Sequence, residues 1–340
     1  MRYIQVIRNE EKPMISEQEL KEMSTQFKEL EKNIKEYSMI IIYRHQSPDF
    51  DALGAQMGLY HWIRFNYPEK EVHYVGDRHP DLMPELFPFP EELDETVYRR
   101  KHLAICVDVS NRSRIANDHI SLAEKVIKID HHPLPSEGEG YGDYLIVHPD
   151  RPAASELVAL FALSRSRKLH INKEAATALY CGIVGDTGKF TYQDTDGATL
   201  RIAGDLADFG VDINSLILEM YSLDQRRLEI LKYCLNNYHI TEKGTAYYVF
   251  DKEEMNKLNM TVDQGNLHIN VFRDLKGVKA AMSVTWDEGK SHYRVSLRSA
   301  KIHIAPVANQ FGGGGHDFAA GCHIKDLSEL PQILEAVDNL

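Results

Sequence analysis

Two short stretches of this 340-residue chain put metal-binding side chains where apolar runs end: His45-Gln46-Ser47-Pro48-Asp49-Phe50-Asp51 and Asp130-His131-His132. Hard carboxylates interleaved with imidazoles suit a manganese- or magnesium-type centre that activates water against a phosphate. Two more aspartates fit the same scheme. Asp108 closes the apolar run Leu103-Ala104-Ile105-Cys106-Val107, and Asp186 lies in Cys181-Gly182-Ile183-Val184-Gly185-Asp186-Thr187-Gly188. With one residue between them in an extended loop, Asp49 and Asp51 can point to different sides and serve two adjacent ions. Four converging carboxylates require such positive charge, because one like-charged pair about 4 Å apart costs about 4 kcal/mol at an effective dielectric of roughly 20.

Taken singly, each residue has a plainer reading. An aspartate at a strand end usually caps a helix or forms a turn, and Asp108, just before Ser110 and Asn111, fits that description. A lone histidine usually packs or faces solvent. The metal reading rests on the ordered set of four elements at the ends of apolar runs.

The elements that must carry these residues follow from hydrophobic periodicity. Residues 15–37, rich in Glu, Lys, Leu and Met at helical spacing, form an amphipathic lead-in helix within a segment 1–38. Short apolar runs then read as strands: Met39 to Tyr43, Val72 to Val75, Leu103 to Val107, Val126 to Ile129 and Tyr144 to Val147. Helical patterns from Ala52 to Phe65, Ser155 to Leu163 and Lys173 to Val184 alternate with them. This is the signature of an α/β fold with a parallel sheet covered on both faces. Ligands of such sheets collect beyond the carboxyl ends of the strands, where His45, Asp49, Asp51, Asp108 and His131 all fall.

The expected organisation is a catalytic domain over 39–195, a helical connector over 196–240 and a smaller α/β substrate-binding domain over 241–340 that closes over the first. In this last region Ala246 to Phe250, Ala280 to Trp286 and Ser291 to Arg298 read as strands, followed by a helix near Ile304 to Phe311 and the run Gly312-Gly313-Gly314-Gly315-His316.

The motifs resemble those of the DHH phosphoesterase family: an HxxxDxD loop, a strand-end aspartate, the DHH triplet and a later GxxxDT element. The resemblance spans about residues 39–321 in the same order. It implies that His45, Asp49 and Asp108 hold one divalent ion, and that Asp51, Asp108, His131 and Asp186 hold the other. Asp108, His131 and His132 would form the catalytic set, with His132 facing the substrate and Asp130 supporting the site from behind. The family commonly carries glycine where this chain has Phe50, a change that would narrow the mouth of the site without removing a ligand.

The glycine-rich run resembles the loop of the DHH-associated C-terminal domain, where Gly313, Gly314, Gly315 and His316 would contact a phosphate through backbone N–H groups and an imidazole. Alternation in Ser291 to Arg298 puts His292, Arg294, Ser296 and Arg298 on one face. Arg298 is the candidate phosphate clamp, since a guanidinium grips two oxygens at once; otherwise it is an exposed edge arginine. Ser155, in Arg151-Pro152-Ala153-Ala154-Ser155-Glu156, either caps its helix or touches substrate.

Bulk properties narrow the substrate. A formal net charge of -12 argues against wrapping long nucleic acid, which needs a basic face to displace counterions. A short anionic substrate held by metals remains compatible. The four cysteines never form a CxxC pair and read as reduced packing residues. No apolar run approaches the length of a bilayer span and Met1-Arg2-Tyr3-Ile4-Gln5 does not open a signal peptide, so the expectation is a cytoplasmic protein without a membrane partner.

Within the family the nearest resemblance is to the NrnA-type oligoribonucleases and pAp phosphatases. That implies a manganese-dependent phosphoric ester hydrolase, with magnesium as the other candidate ion, acting on very short oligoribonucleotides and pAp (3'-phosphoadenosine 5'-phosphate). It also suggests a homodimer. Two other readings stand beside it: a phosphodiesterase for linear or cyclic dinucleotides such as pApA and cyclic-di-AMP, and a protein that binds nucleotides without hydrolysing them.

Overall fold

The computed structural model describes residues 17–78, 82–134, 141–166 and 168–340. Residues 1–16, which include the start of the expected lead-in helix, lie outside the described residues. The chain divides into two compact units, Met1–Tyr221 and Ser222–Leu340.

The first unit is built on a parallel sheet of β1 (Met39–Tyr43), β2 (Glu71–Tyr74), β3 (Leu103–Val107), β4 (Lys125–Asp130) and β5 (Tyr144–Val147), in the order β2-β1-β3-β4-β5. β1, β3 and β5 are short apolar runs because both faces of the sheet are covered, and successive side chains enter different cores. Ile40 and Ile42 of β1 join a large core with Trp62, Phe161 and Leu179, whereas Ile41 and Tyr43 join a smaller one with Val109, Ile115, Ile120 and Tyr141.

The two covers differ. Helices Glu17–Glu36, Phe50–Asn66, Ala154–Arg165 and Lys173–Asp186 contribute to the large core. The smaller core is closed by the single-turn helix Glu95–Tyr98 and the 3₁₀ turns Arg112–Arg114 and Asp118–Leu122. Helices Phe50–Asn66 and Lys173–Asp186 pack with unusually close backbones. A Cβ added at Gly54 would stand 2.6 Å from the Ala178 carbonyl oxygen and 2.8 Å from the Cα of Gly182. Glycine at 54 therefore permits the approach that brings the start of one helix beside the end of the other.

The helical stretch expected as a connector is divided. Helices Gly197–Ala207 and Ile213–Tyr221 bury Ile202, Ala203, Leu206, Leu216 and Met220 in the core of the first unit, while Gln225–Asn237 buries Ile230 and Cys234 in the second. Amphipathic helices follow the apolar surface nearest to them, and the sequence pattern does not say which sheet that is.

The second unit is a mixed six-stranded sheet, β6 (His239–Ile240), β7 (Thr245–Phe250), β8 (Ala280–Asp287), β9 (His292–Ser299), β10 (Gly314–His316) and β11 (Ala319–Ile324), in the order β10-β11-β9-β8-β7-β6. Only β7 and β8 pair in parallel. Helices Ala305–Gln310 and Leu330–Asp338 cover one face, and Gln225–Asn237 with Ile269–Arg273 the other. All four cysteines are buried free thiols. Among the described residues no helix is long and apolar enough to cross a membrane.

Candidate metal centre

Parallel pairing aligns the carboxyl ends of β1, β3 and β4, and the chain leaves each end with a donor. His45 follows β1 by two residues, Asp108 follows β3 directly, and Asp130 ends β4 with His131 and His132 immediately after it.

His45 sits on a backbone clamped from below. The fully buried Arg44 donates from Nε to Gln56 Oε1 (3.0 Å) and from its terminal nitrogens to the carbonyls of His45 (3.2 Å) and Asp77 (2.5 Å). His45 Nδ1 donates to the Gln46 carbonyl at 2.7 Å, which turns Nε2 toward Asp108 Oδ2 (3.3 Å) and Asp49 Oδ2 (3.7 Å).

The loop carrying Asp49 and Asp51 is not extended. Asp49 is the N-cap of helix Phe50–Asn66, and its Oδ1 accepts from the N–H groups of Asp51 and Ala52, both at 3.0 Å. Capping leaves its Oδ2 toward His45. The Asp49 side chain is 60% exposed, whereas that of Asp51 is 1% exposed. Asp51 Oδ2 accepts from Ala154 N–H at 2.7 Å and Oδ1 from Ser155 N–H at 2.8 Å, which ties it to the first turn of helix Ala154–Arg165. The helical start, and not strand alternation, is what separates the two carboxylates.

Asp108 adopts φ 54°, a left-handed conformation that aspartate tolerates better than most residues. This turn at the strand end lets its two oxygens address different neighbours. Oδ2 faces His45 Nε2, and Oδ1 stands 3.5 Å from both His131 Nε2 and His132 Nδ1. Although buried, Oδ1 receives no well-formed hydrogen bond. The helix cap expected of a lone Asp108 belongs to Asn111, whose side chain accepts from Ser113 N–H.

His131 Nδ1 donates to the Arg151 carbonyl at 3.3 Å, and Nε2 lies 3.4 Å from Asp186 Oδ2 and 3.9 Å from Asp51 Oδ2. Asp186 is the last residue of helix Lys173–Asp186. His132 Nδ1 donates to Asp130 Oδ1 at 2.8 Å. Asp130 in turn pairs with the fully buried Lys128, so it acts behind the site.

Donor atoms from His45, Asp49 and Asp108 lie within 4.8 Å of one another, as do those from Asp51, His131 and Asp186 and those from Asp108, His131 and His132. Many of the separations fall between 3.3 and 3.9 Å, longer than hydrogen bonds. Ligands about 2.1 Å from one ion stand roughly 3.0 Å apart when cis and roughly 4.2 Å when trans in an octahedron, so these separations fall in the range that a shared cation spans.

Electrostatics point the same way. Burial pushes the pKa of His45 down, but Asp108 and Asp49 outweigh it and lift it to about 11. His131 is raised well above the usual range against its burial, by Asp108, Asp186 and Asp51. Burial pushes Asp186 well up, only partly offset by His131 and reinforced by Asp51, Asp49 and Asp108. Asp51 is raised by burial and by Asp108. His131 and His45 hold Asp108 well below its ordinary value against its burial, and His45 lowers Asp49. Two raised carboxylates beside two lowered ones, with histidines held cationic among them, form a donor set that fits divalent cations.

The remaining candidates are not donors of this set. Ser155 neither caps its helix nor reaches solvent: the N-cap is Ala153, and the buried Ser155 hydroxyl donates to the Asp51 carbonyl at 3.1 Å. The glycine run is partly a strand, with Gly314–His316 paired to Ala319–Gly321. A Cβ at Gly313 would meet the Gly321 carbonyl oxygen at 2.0 Å, and one at Gly315 the Ala319 carbonyl oxygen at 2.6 Å, so close backbone pairing alone requires glycine there. The His316 side chain lies outside the described residues. Arg298 is half-buried on β9 and donates to the Leu297 carbonyl at 2.8 Å. Arg294 pairs with Asp263.

Sequence reasoning missed Arg44, Lys128 and the Arg151–Glu156 pair (3.4 Å). The available signal was charge inside apolar context, as in Val126-Ile127-Lys128-Ile129-Asp130, where a lysine interrupts a buried strand.

A parallel sheet with a carboxylate–imidazole donor set at its carboxyl edge, followed by a second sheet unit, is an α/β architecture whose donors could hold metal ions where such sheets bind their ligands. Residues 39–183 match the DHH family, N-terminal domain, and residues 243–340 match the DHHA1 domain. The chain is 34% identical over 316 residues, 93% of its length and 99% of the relative's, to the probable bifunctional oligoribonuclease and PAP phosphatase NrnA of Streptococcus mutans. It is 31% identical over 313 residues, 92% of its length and 97% of the relative's, to the bifunctional oligoribonuclease and PAP phosphatase NrnA of Bacillus subtilis. An exopolyphosphatase-related protein of Bacteroides fragilis has the same fold, with a TM-score of 0.82 and 24% identity over 93% of this chain and 96% of that one. The chain belongs to the DHH family and is a phosphoric ester hydrolase.

Proposed function

We propose that this chain is a manganese-dependent phosphodiesterase and phosphatase that hydrolyses very short oligoribonucleotides and pAp with two divalent ions. The observation that carries the reading is the placement of Asp108, with one carboxylate oxygen toward His45 and the other toward His131. His45, Asp49 and Asp108 would hold one ion, and Asp51, Asp108, His131 and Asp186 the other. A mixed carboxylate–imidazole set suits manganese better than magnesium, which favours oxygen ligands.

Bound in this set, divalent ions supply positive charge to the phosphate and lower the pKa of water. The chain's own residues do the rest. Nδ1 donation from His45 and His131 to backbone carbonyls orients each ring with Nε2 toward the donor set. Asp130 holds His132 so that its Nε2 can hydrogen-bond a phosphate oxygen of the substrate. Arg298, His316 and the backbone N–H groups of Gly314 and Gly315 would bind a phosphate of the substrate, whereas the Gly313 N–H is held by the Ala308 carbonyl at 2.9 Å. Four buried thiols fit a reducing compartment such as the cytoplasm.

The purified protein, assayed with manganese against pAp, a labelled RNA dinucleotide, linear pApA and cyclic-di-AMP, tests this. Turnover of pAp and the RNA dinucleotide is expected. No turnover of any compound sinks the hydrolase reading, and activity on cyclic-di-AMP alone replaces the substrate assignment with the cyclic dinucleotide.

A further inference from the structure

Phe50 stands between Asp49 and Asp51, the two aspartates that serve different donor groups, yet it is an aromatic residue left partly exposed. Its position is rigid. It is the first residue of helix Phe50–Asn66, whose opening turn is pinned by the Asp49 cap. On one side its ring meets that of the fully buried Phe87, with centroids 6.4 Å apart and planes at 45°. On another it lies along Gly185, where an added Cβ would come within 2.7 Å of the Phe50 Cβ and 3.5 Å of its Cγ and Cδ2. Gly185 directly precedes Asp186, so the ring is fixed beside that donor as well as between the other two.

An apolar ring serves no purpose for ion binding, and partial exposure forgoes part of the benefit of burying it. Held in place by Phe87 and Gly185 within a strongly acidic setting, it offers a surface to an uncharged planar group. A nucleobase is such a group, and one ribose joins it to the phosphate. We propose that Phe50 is a stacking surface for the nucleobase next to the scissile phosphate, so that the site selects nucleotides over phosphate esters without a base. This deepens the proposed function and rests on it.

The test compares kcat/KM for pAp with that for its abasic counterpart, a methyl riboside 3',5'-bisphosphate, in the manganese-loaded wild type and in Phe50→Leu, Phe50→Ala and Phe50→Trp. Leucine keeps apolar packing without a π-face, so it decides the matter if the alanine variant fails to fold. The wild type is expected to prefer pAp by about ten-fold, on the order of one base–aromatic stack. Phe50→Leu should lose most of that preference through KM, and Phe50→Trp should retain it. Equal preference in the wild type and Phe50→Leu, or no preference in the wild type, overturns the stacking role while leaving the hydrolase intact. A loss carried by kcat with KM unchanged assigns Phe50 to packing of the donor groups and also overturns it. If the wild type turns over neither compound, the hydrolase reading fails and the stacking role with it.

Discussion

Lys128 Nζ lies 3.0 Å from Asp130 Oδ2, and both side chains are fully buried. The ammonium also donates to the Ser110 carbonyl at 2.8 Å and lies 4.8 Å from the centre of the Tyr141 ring. The other Asp130 oxygen holds His132, so one carboxylate joins a buried cation to the histidine that follows the donor set. Removing one member of such a pair leaves an uncompensated charge in the sheet. Lys128→Met should therefore destabilise the protein by about 3–5 kcal/mol in urea unfolding, and adding Asp130→Asn should restore a large part of the loss. A cost below about 1 kcal/mol would show that Asp130 finds another partner.

Asp108→Ala removes the carboxylate that faces both donor groups. Turnover should fall by far more than the roughly 10–100-fold typical of losing a residue behind the ligands, and manganese affinity measured by calorimetry should fall with it. Full activity in this variant would rule out a shared role for Asp108.

Metal binding should release protons. Without metal, Asp108 and Asp49 keep His45 protonated up to about pH 11, and His131 is raised by Asp108, Asp186 and Asp51. A ligand nitrogen must be neutral, so a cation has to displace those protons. Apparent affinity should rise with pH across the neutral range, by about ten-fold per pH unit for each proton released. Calorimetry in buffers of different ionisation enthalpy measures the number directly, and a pH-independent affinity would contradict the protonation described above.

Glu156 predicts a pH dependence of stability. Burial, only partly offset by Thr199 and Arg151, pushes its carboxyl up to about 7 from its ordinary value of 4.5. A raised folded-state value means that the fold favours the protonated form. Its contribution is complete below about pH 4.5 and is lost as pH rises through about 7. Glu156→Gln stays neutral throughout, so its stability relative to wild type should improve between about pH 5 and 8, by up to about 2–3 kcal/mol. Parallel unfolding curves for the two proteins over that range would show that Glu156 is ionised in the fold at every pH tested.

The parallel sheet was legible because buried strands read as apolar runs. Met39–Tyr43, Leu103–Val107 and Tyr144–Val147 have the boundaries their apolar stretches suggest. Helix ends moved by one or two residues, chiefly where a side chain decides the cap: Asp49 starts its helix at Phe50, two positions before the first small apolar residue. The sequence pattern did not show β11 or helix Leu330–Asp338: residues 319–324 are mostly small side chains of weak strand propensity, which read as a strand only once β9 and β10 flank them.

The composition and order of the chain determined which atoms could bind a cation and that apolar strands would end beside them, because residue chemistry and period-two burial are local properties. Tertiary structure decided what each donor does. Close packing of Gly54 against Gly182 sets Asp51 near Asp186, and a left-handed turn gives Asp108 two neighbours. Ser155 became a partner of Asp51, Lys128 the countercharge of Asp130, and Phe50 a wall beside the donors. These roles depend on contacts between residues far apart in the chain, and no local pattern encodes such distances.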